Sequence, residues 1–203
     1  MKNSMVTLLS VLAVMACKKK ETMIVSQSTD STVVTVPADS GMTVTDSITV
    51  STTRDVKKIL SEQDKEFAEN AARGGIMEVM MGKLASDNAG NTAVKALGKM
   101  MVTDHTKANE GLAKWASEIG YTLPTTLDSE KQKKYDELKV KKGAEFDKMY
   151  TDFMVSDHKE DIKEFKKEAS EGSESTLKSF ASKTLPTLEH HLMESEKAKD
   201  IVK

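Results

Sequence analysis

Apolar side chains recur every three or four residues between residues 61 and 201, and this period places them along one side of an α-helix. Glycines interrupt the pattern at Gly90, Gly120, Gly143 and Gly172 and divide it into segments of several turns. Only three prolines occur in the 203 residues, whereas Ala, Lys, Glu, Leu and Met, which favour helix, are common. The sequence therefore predicts an all-α fold in which four long helices form an antiparallel four-helix bundle.

Polar residues suited to N-cap positions mark the predicted helix starts. They are Ser61 (with Asp64), Asn91, Asp128 and Ser173. The predicted helices span residues 61–88, 91–119, 128–141, 144–171 and 174–201. A short extra helix thus stands between the second and the third long helix.

Each of the four long helices carries one metal-capable side chain within its apolar stripe. In chain order these are Glu78, His105, His158 and His191. We measured the position of each residue along its helix axis from the nearest connecting glycine, at about 1.5 Å per residue. These four positions differ by roughly 10 Å at most. We therefore expect all four side chains near the middle of the bundle. Because burying an unpaired polar group is costly, the cluster predicts either a metal site or a buried His–carboxylate network in a partly hydrated core.

Acidic residues next to these histidines are candidates to orient the imidazoles, as carboxylates do for metal-bound histidines. They are Asp104, Asp157, Asp161 and Glu194. Asp104 and Asp157 each directly precede a histidine, within a segment that repeats as MVTDH and MVSDH. Since a neighbour at i+1 points about 100° away on a helix, either of these two could instead serve an adjacent helix or solvent. Asp161 and Glu194 follow a histidine by one turn, so we expect them to lie closer to the site.

The residue types in the cluster favour a single zinc or copper ion over a di-iron pair. Di-iron proteins built on four helices use a Glu-x-x-His motif on each of two helices. Here Val102, Val155 and Leu188 stand three residues before the histidines, and only one glutamate faces the proposed centre. Imidazole-rich, carboxylate-poor sets suit zinc and copper.

The N-terminus predicts a bacterial lipoprotein. Lys2 precedes a run of mainly apolar residues that is too short to span a bilayer, and the run ends in VMAC, a lipobox with Cys17 as the residue to be acylated. We predict a signal peptide over residues 1–16, a lipidated cysteine and disordered tether rich in Ser and Thr over 17–53, and the helical domain over 54–203. The predicted location is the cell envelope, facing the periplasm, with the outer membrane favoured over the inner.

Several function classes do not fit the composition. Thirty basic and thirty-two acidic residues leave a net charge of −2, which gives no electrostatic case for nucleic acid. Acylation of the single cysteine, Cys17, would leave no thiol for catalysis or disulfides, and the attachment motif of c-type haem is missing. We expect a non-enzymatic binding or envelope-stress role, with an envelope protein as one candidate partner. The alternative is a transition-metal-binding protein that uses the His/Glu cluster.

The chain resembles a bacterial family of ferritin-like secreted proteins, domain of unknown function 4142, often described as outer-membrane proteins. The matching stretches are FAENAARGGIMEV (67–79), GKLA (82–85), MVTDHTKAN (101–109), LP (123–124), FDKMY (146–150), DH (157–158) and TLPTLEHHL (184–192). The resemblance covers about residues 61–195. It implies a ferritin-like four-helix fold and an envelope location, and it implies no particular activity.

Overall fold

The computed structural model describes residues 60–203, and within this range every regular element is a helix. The helices are α1 (Glu62–Asn88), α2 (Thr92–Ile119), α3 (Ser129–Lys139), α4 (Gly143–Glu171) and α5 (Ser175–Ile201). The predicted all-α class is confirmed, and α3 is the short helix expected between the second and third long ones. The predicted signal peptide, Cys17 and the tether lie outside the described residues. None of the helices between residues 60 and 203 is long and apolar enough to cross a membrane.

Short polar side chains begin the first two helices as predicted. Ser61 and Asp64 form a capping box, in which the Asp64 amide donates to Ser61 Oγ at 3.1 Å and the Ser61 amide donates to Asp64 Oδ2 at 2.9 Å. Asn91 caps α2 by accepting from the Ala93 amide at 2.8 Å. Gly120 ends α2 with a φ of 70°, a left-handed conformation that glycine adopts without steric cost.

The predicted cap of the last helix was wrong by one residue. Glu174, and not Ser173, is the N-cap of α5, because its carboxylate accepts from the Leu177 amide at 2.5 Å. The same carboxylate accepts from Trp115 Nε1 at 3.0 Å and so ties α5 to α2. Ser173 instead donates its backbone amide and its hydroxyl to Asp64 at the start of α1. Glu174 and Ser173 thus each contact another helix, and a local capping rule does not include such contacts.

The four long helices bury two apolar clusters. One lies toward the start of α1 and contains Phe67, Ala68, Leu112, Trp115, Ile162, Phe165, Leu177 and Leu188 among its members. The other contains Met77, Met81, Val94, Leu97, Met101, Phe146, Tyr150, Met154 and Ala198 among its members. Helix α1 packs most extensively on α2 and α4 on α5, while α3 lies against α1.

Helices α1 and α2 approach each other closely where Gly82 faces Gly98. A methyl group on Gly98 would lie 2.5 Å from the Ala85 Cβ and 2.8 Å from the Gly82 carbonyl oxygen. A methyl group on Gly82 would lie 2.7 Å from the Gly98 carbonyl oxygen. Glycine at these positions therefore sets the distance between the two helices.

We expect Gly98→Ala to destabilise the domain and Gly74→Ala, its control on α1, not to do so. The Gly98 methyl would force the two helices apart, at a cost of roughly 1–3 kcal/mol. A methyl on Gly74 would have no atom within 4 Å, so the better helix propensity of alanine should raise stability by up to about 1 kcal/mol. Denaturant unfolding followed by circular dichroism measures both; equal stability changes in the two variants would contradict this account.

Glu168 is a buried acid near the end of α4. It is 1% exposed, and its Oε1 has no hydrogen-bond partner, while Oε2 accepts from Gln63 Nε2 at 3.4 Å. Burial, with Asp64 close by, raises the pKa of Glu168 to about 7. Its folded-state pKa thus lies above its unfolded-state value, so the folded state holds this proton more tightly. The stability that this group contributes is complete at low pH and is lost as the pH rises through about 7.

Glu168→Gln should remove this pH dependence. Relative to the parent protein, the variant should gain stability as the pH rises from 4 to 8, by at most about 3 kcal/mol, since one pKa unit corresponds to about 1.4 kcal/mol. Glu171→Gln, on the exposed face of the same helix, is the matched control and should show no such trend. The measurement is the free energy of unfolding at several pH values, and a constant difference between Glu168→Gln and the parent would refute the assignment.

Candidate metal centre

Glu78, His105, His158 and His191 come together in the interior, one from each long helix. They are 1%, 5%, 0% and 0% exposed, respectively. Glu78 Oε2 lies 2.8 Å from His105 Nδ1, and Glu78 Oε1 lies 3.4 Å from His158 Nε2. His158 Nε2 lies 3.3 Å from His191 Nδ1. One ring nitrogen from each of the three histidines lies within 4.8 Å of those of the other two.

This polar group forms a layer between the two apolar clusters. Along α2, His105 separates Met101 of one cluster from Leu112 of the other. Along α4, His158 follows Met154 and precedes Ile162 in the same way. Each long helix therefore keeps its apolar stripe but changes to a polar side chain where the stripe crosses this layer.

His158 and His191 each contact an oxygen acceptor through the ring nitrogen that does not face the other ring. We call this nitrogen the outer one and the other the inner one. His158 Nδ1 lies 3.0 Å from the Met154 carbonyl oxygen, which can only accept, so this nitrogen carries the proton. His191 Nε2 lies 2.9 Å from Asp104 Oδ2 and donates to that carboxylate. The nitrogens left without a proton in the neutral rings are His158 Nε2 and His191 Nδ1, the two atoms that face each other at 3.3 Å.

The third imidazole contacts the carboxyl group of the layer. His105 Nδ1 lies 2.8 Å from Glu78 Oε2. His105 Nε2 is buried without a hydrogen-bond partner. Each of the three rings thus has one nitrogen at hydrogen-bond distance from an oxygen and a second nitrogen elsewhere in the interior.

Burial keeps the three histidines neutral near pH 7. Loss of hydration lowers the pKa of His105 to about 4, although Asp157 and Asp104 act in the opposite direction. Burial and the two neighbouring histidines lower the pKa of His158 to about 3. Burial also lowers the pKa of His191 to about 4, against the hydrogen bond to Asp104. Neutral imidazole is the form that binds metal ions.

Glu78 of α1 also lies close to a second acid, Asp157 of α4. Burial, and then the nearby charge of Asp157, raises the pKa of Glu78 well above its ordinary value. Burial raises the pKa of Asp157 to about 6, partly offset by Lys131. Asp157 Oδ2 is buried without a hydrogen-bond partner. A carboxylate oxygen of Glu78, one of Asp157 and a ring nitrogen of His158 lie within 4.8 Å of one another, so a cation could also reach this side of the layer.

The four acids expected around the histidines fall into different places. Asp104 binds His191 on another helix, the arrangement that the sequence analysis left open for it. Asp157 lies beside Glu78 and His158. Asp161 lines a cavity next to Glu78. Glu194 is not at the centre, contrary to its expected position, because its carboxylate pairs with Lys197 at 2.7 Å on the same helix.

Tyr150 is a polar neighbour that the sequence analysis placed only in an apolar stripe. It is 0% exposed, and its hydroxyl has no hydrogen-bond partner. Burial, and then the charge of Glu78, raises its pKa. Tyr150 stands two turns before His158 on the same face of α4. This spacing in the sequence could have placed Tyr150 near the histidines.

A small cavity adjoins the layer between α1, α2, α4 and α5. Its volume is about 20 Å³, enough for about one water molecule. Its polar lining residues are Glu78, His105, Asn109, Asp161 and Thr184. Gly74, Ala108 and Leu112 are among its small and apolar lining residues.

The chain belongs to the family described as Domain of unknown function (DUF4142), which matches residues 50–198. No curated protein sequence matches this chain. Two solved structures of another family, DUF305, are similar in fold. The fragment from Deinococcus radiodurans has a TM-score of 0.61 at 8% identity, over 70% of this chain and 97% of the other. A Streptomyces coelicolor protein for which secretion has been suggested has a TM-score of 0.55 at 15% identity, over 66% of this chain and 88% of the other.

Proposed function

We propose that this member of the DUF4142 family is a lipid-anchored envelope protein that binds one zinc or copper ion through His105, His158, His191 and Glu78. Its role is binding and not catalysis. The observation that carries the proposal is the 3.3 Å distance between His158 Nε2 and His191 Nδ1, while the other nitrogen of each ring contacts an oxygen acceptor.

Two lone pairs directed at each other in a buried setting repel unless a cation lies between them. Either ring could relieve the repulsion by moving its proton to the inner nitrogen. His158 would then lose its hydrogen bond to the Met154 carbonyl, or His191 its hydrogen bond to Asp104. A metal ion relieves the repulsion and keeps both outer hydrogen bonds. Outer partners of this kind commonly orient the histidines of metal sites.

Two of the distances between the proposed ligand atoms fit a small transition-metal ion. Ligands about 2.0–2.1 Å from a tetrahedral ion lie about 3.3–3.4 Å from one another. His158 Nε2 is 3.3 Å from His191 Nδ1 and 3.4 Å from Glu78 Oε1. Glu78 Oε1 has no hydrogen-bond partner. A bound ion would therefore engage an oxygen that otherwise lies buried and unpaired.

The donor set supports zinc or copper. Three neutral imidazoles need lose no proton to bind near pH 7, and imidazole suits both metals. The Glu-x-x-His motif of di-iron proteins is missing from all three histidine-bearing helices. We include in the proposal that the four long helices form a ferritin-like four-helix bundle, which places one ligand on each helix.

The envelope location rests on the lipobox that ends at Cys17 and on the apolar run before it. Acylation at this residue would hold the chain at the membrane, with the outer membrane favoured and the domain facing the periplasm. A metal-binding domain at this location would meet ions as they enter the envelope.

The test uses the full-length chain, purified in detergent and dialysed against zinc or copper(II). The protein should retain about one ion per molecule. It should also melt at a higher temperature than the metal-free protein, because the ion binds only the folded state. His158→Ala and His191→Ala should each weaken binding by at least about 10- to 100-fold, the loss typical of removing only an outer hydrogen-bond partner. Elemental analysis and calorimetric titration measure these effects.

His190→Ala is the matched control, since His190 neighbours His191 but is exposed. It should bind metal like the parent. If the parent retains no metal and its melting temperature does not change, the metal-binding function is wrong. If His190→Ala loses as much affinity as His158→Ala, the ion binds elsewhere.

Cys17→Ser should release the protein from membranes or leave its signal peptide uncleaved, because serine cannot accept the thioether-linked lipid. Membrane fractionation and intact-mass analysis of the expressed chain measure both effects. Unchanged processing and unchanged membrane retention would rule out the lipid anchor while leaving metal binding untouched.

A further inference from the structure

We propose that Glu78, Asp157 and His158 form an entry position for the ion, where it binds on its way between solvent and the three histidines. This inference rests on the metal-binding function proposed above and adds a route to it. We call the site formed by Glu78, His105, His158 and His191 the resting position. The ion occupies one position at a time, so each molecule still holds one ion.

The three residues of the entry position lie close enough together to share an ion. A carboxylate oxygen of Glu78, one of Asp157 and a ring nitrogen of His158 lie within 4.8 Å of one another. The available nitrogen of His158 is Nε2, because the Met154 carbonyl oxygen holds the proton on Nδ1. His158 Nε2 lies 3.4 Å from Glu78 Oε1. Carboxylate oxygens and imidazole nitrogens are both ordinary ligands of zinc.

Asp157 is the member of this group that reaches toward solvent. It is partly exposed, whereas Glu78 is 1% and His158 0% exposed. Its Oδ2 atom is nevertheless buried and has no hydrogen-bond partner. Glu78 Oε1 is also buried without such a partner. An ion bound between these two oxygens would pair both of them, and buried polar atoms are normally paired.

The repeated segment, MVTDH and then MVSDH, supplies two aspartates with different partners. Asp104 accepts from His191 Nε2 at 2.9 Å through its Oδ2 atom, so this oxygen is already paired. Asp157 stands at the same place in the second copy, and its Oδ2 atom is unpaired. The first aspartate therefore orients a histidine, and the second has an oxygen available for an ion.

Two shared ligands connect the entry position with the resting position. Glu78 and His158 belong to both, so the ion keeps these two ligands while it exchanges Asp157 for His105 and His191. Because His158 Nε2 has a single lone pair, it binds one ion at a time, and the two positions are not filled together. Release of the ion follows the same steps in reverse.

The test uses the full-length chain and zinc. Rapid mixing of the metal-free protein with zinc and a zinc-sensitive dye measures uptake, and transfer of bound zinc to an excess of a chromophoric chelator measures release. Asp157→Asn should slow both by about 10-fold or more, the lower end of the effect that charge has on association rates. Release slows because the departing ion loses the position through which it leaves.

Asp104→Asn is the matched control, because it makes the same change at the same place in the other copy of the repeat. This variant should release zinc faster than the parent, since His191 loses the carboxylate that orients it. Asp157→Ser should release zinc slowly, as Asp157→Asn does, which keeps the test valid if one of the two variants does not fold.

The outcomes separate this inference from the function on which it rests. If the parent binds zinc and the Asp157 variants take it up or release it as fast as the parent, or faster, the entry position alone is overturned. Loss of zinc binding at equilibrium in these variants would also overturn it, because Asp157 would then be a ligand of the resting ion. A parent protein that binds no zinc would overturn the metal-binding function and the entry position together.

Discussion

The polar layer between the two apolar clusters is the constraint on which the rest of the domain depends. Three imidazoles and one carboxyl group lie where the cores of most helical domains would continue with apolar side chains. Burying such groups is unfavourable unless each polar atom finds a partner. The helices must therefore meet at heights that bring His105 to Glu78 and His158 to His191. Helix register and the polar layer are consequently coupled, as in other cores where a buried polar group specifies one arrangement.

The hydrogen bonds around the layer convert an unfavourable cluster into one suited to a cation. The Met154 carbonyl and the Asp104 carboxylate each hold the proton of an imidazole on its outer side. The inner nitrogens then present lone pairs to one another, and low pKa values keep the rings neutral. A proton or a metal ion is the natural occupant of such a position.

The two sides of the layer differ in chemistry. Toward one side lie Met77, Met81, Met101 and Met154, with the buried hydroxyl of Tyr150. Toward the other lies the small cavity with Gly74 and Asp161 in its wall. The methionine side is apolar and filled, whereas the cavity side offers room and oxygen acceptors. The cavity side therefore has space for about one water molecule.

Much of the architecture followed from local signals. The three- and four-residue period determines which face of each helix is apolar, and Gly120, Asn91 and Ser61 mark helix ends through local backbone and side-chain hydrogen bonds. The same period identified the four polar residues, because each interrupts a stripe that would otherwise be continuous. Local signals were less reliable for Ser173 and Glu194. Ser173 binds Asp64 across the fold, and Glu194 pairs with Lys197 along its own helix.

The sequence by itself therefore determined the helical class, the helix ends to within a few residues and the identity of the four inward polar side chains. Those properties depend on interactions within about one helical turn. Only the tertiary structure decided that Asp104 binds an imidazole of α5, that His158 Nε2 lies 3.3 Å from His191 Nδ1, and that a cavity lies beside Gly74. These features depend on the relative rotation and height of packed helices, to which side chains far apart in the chain contribute together.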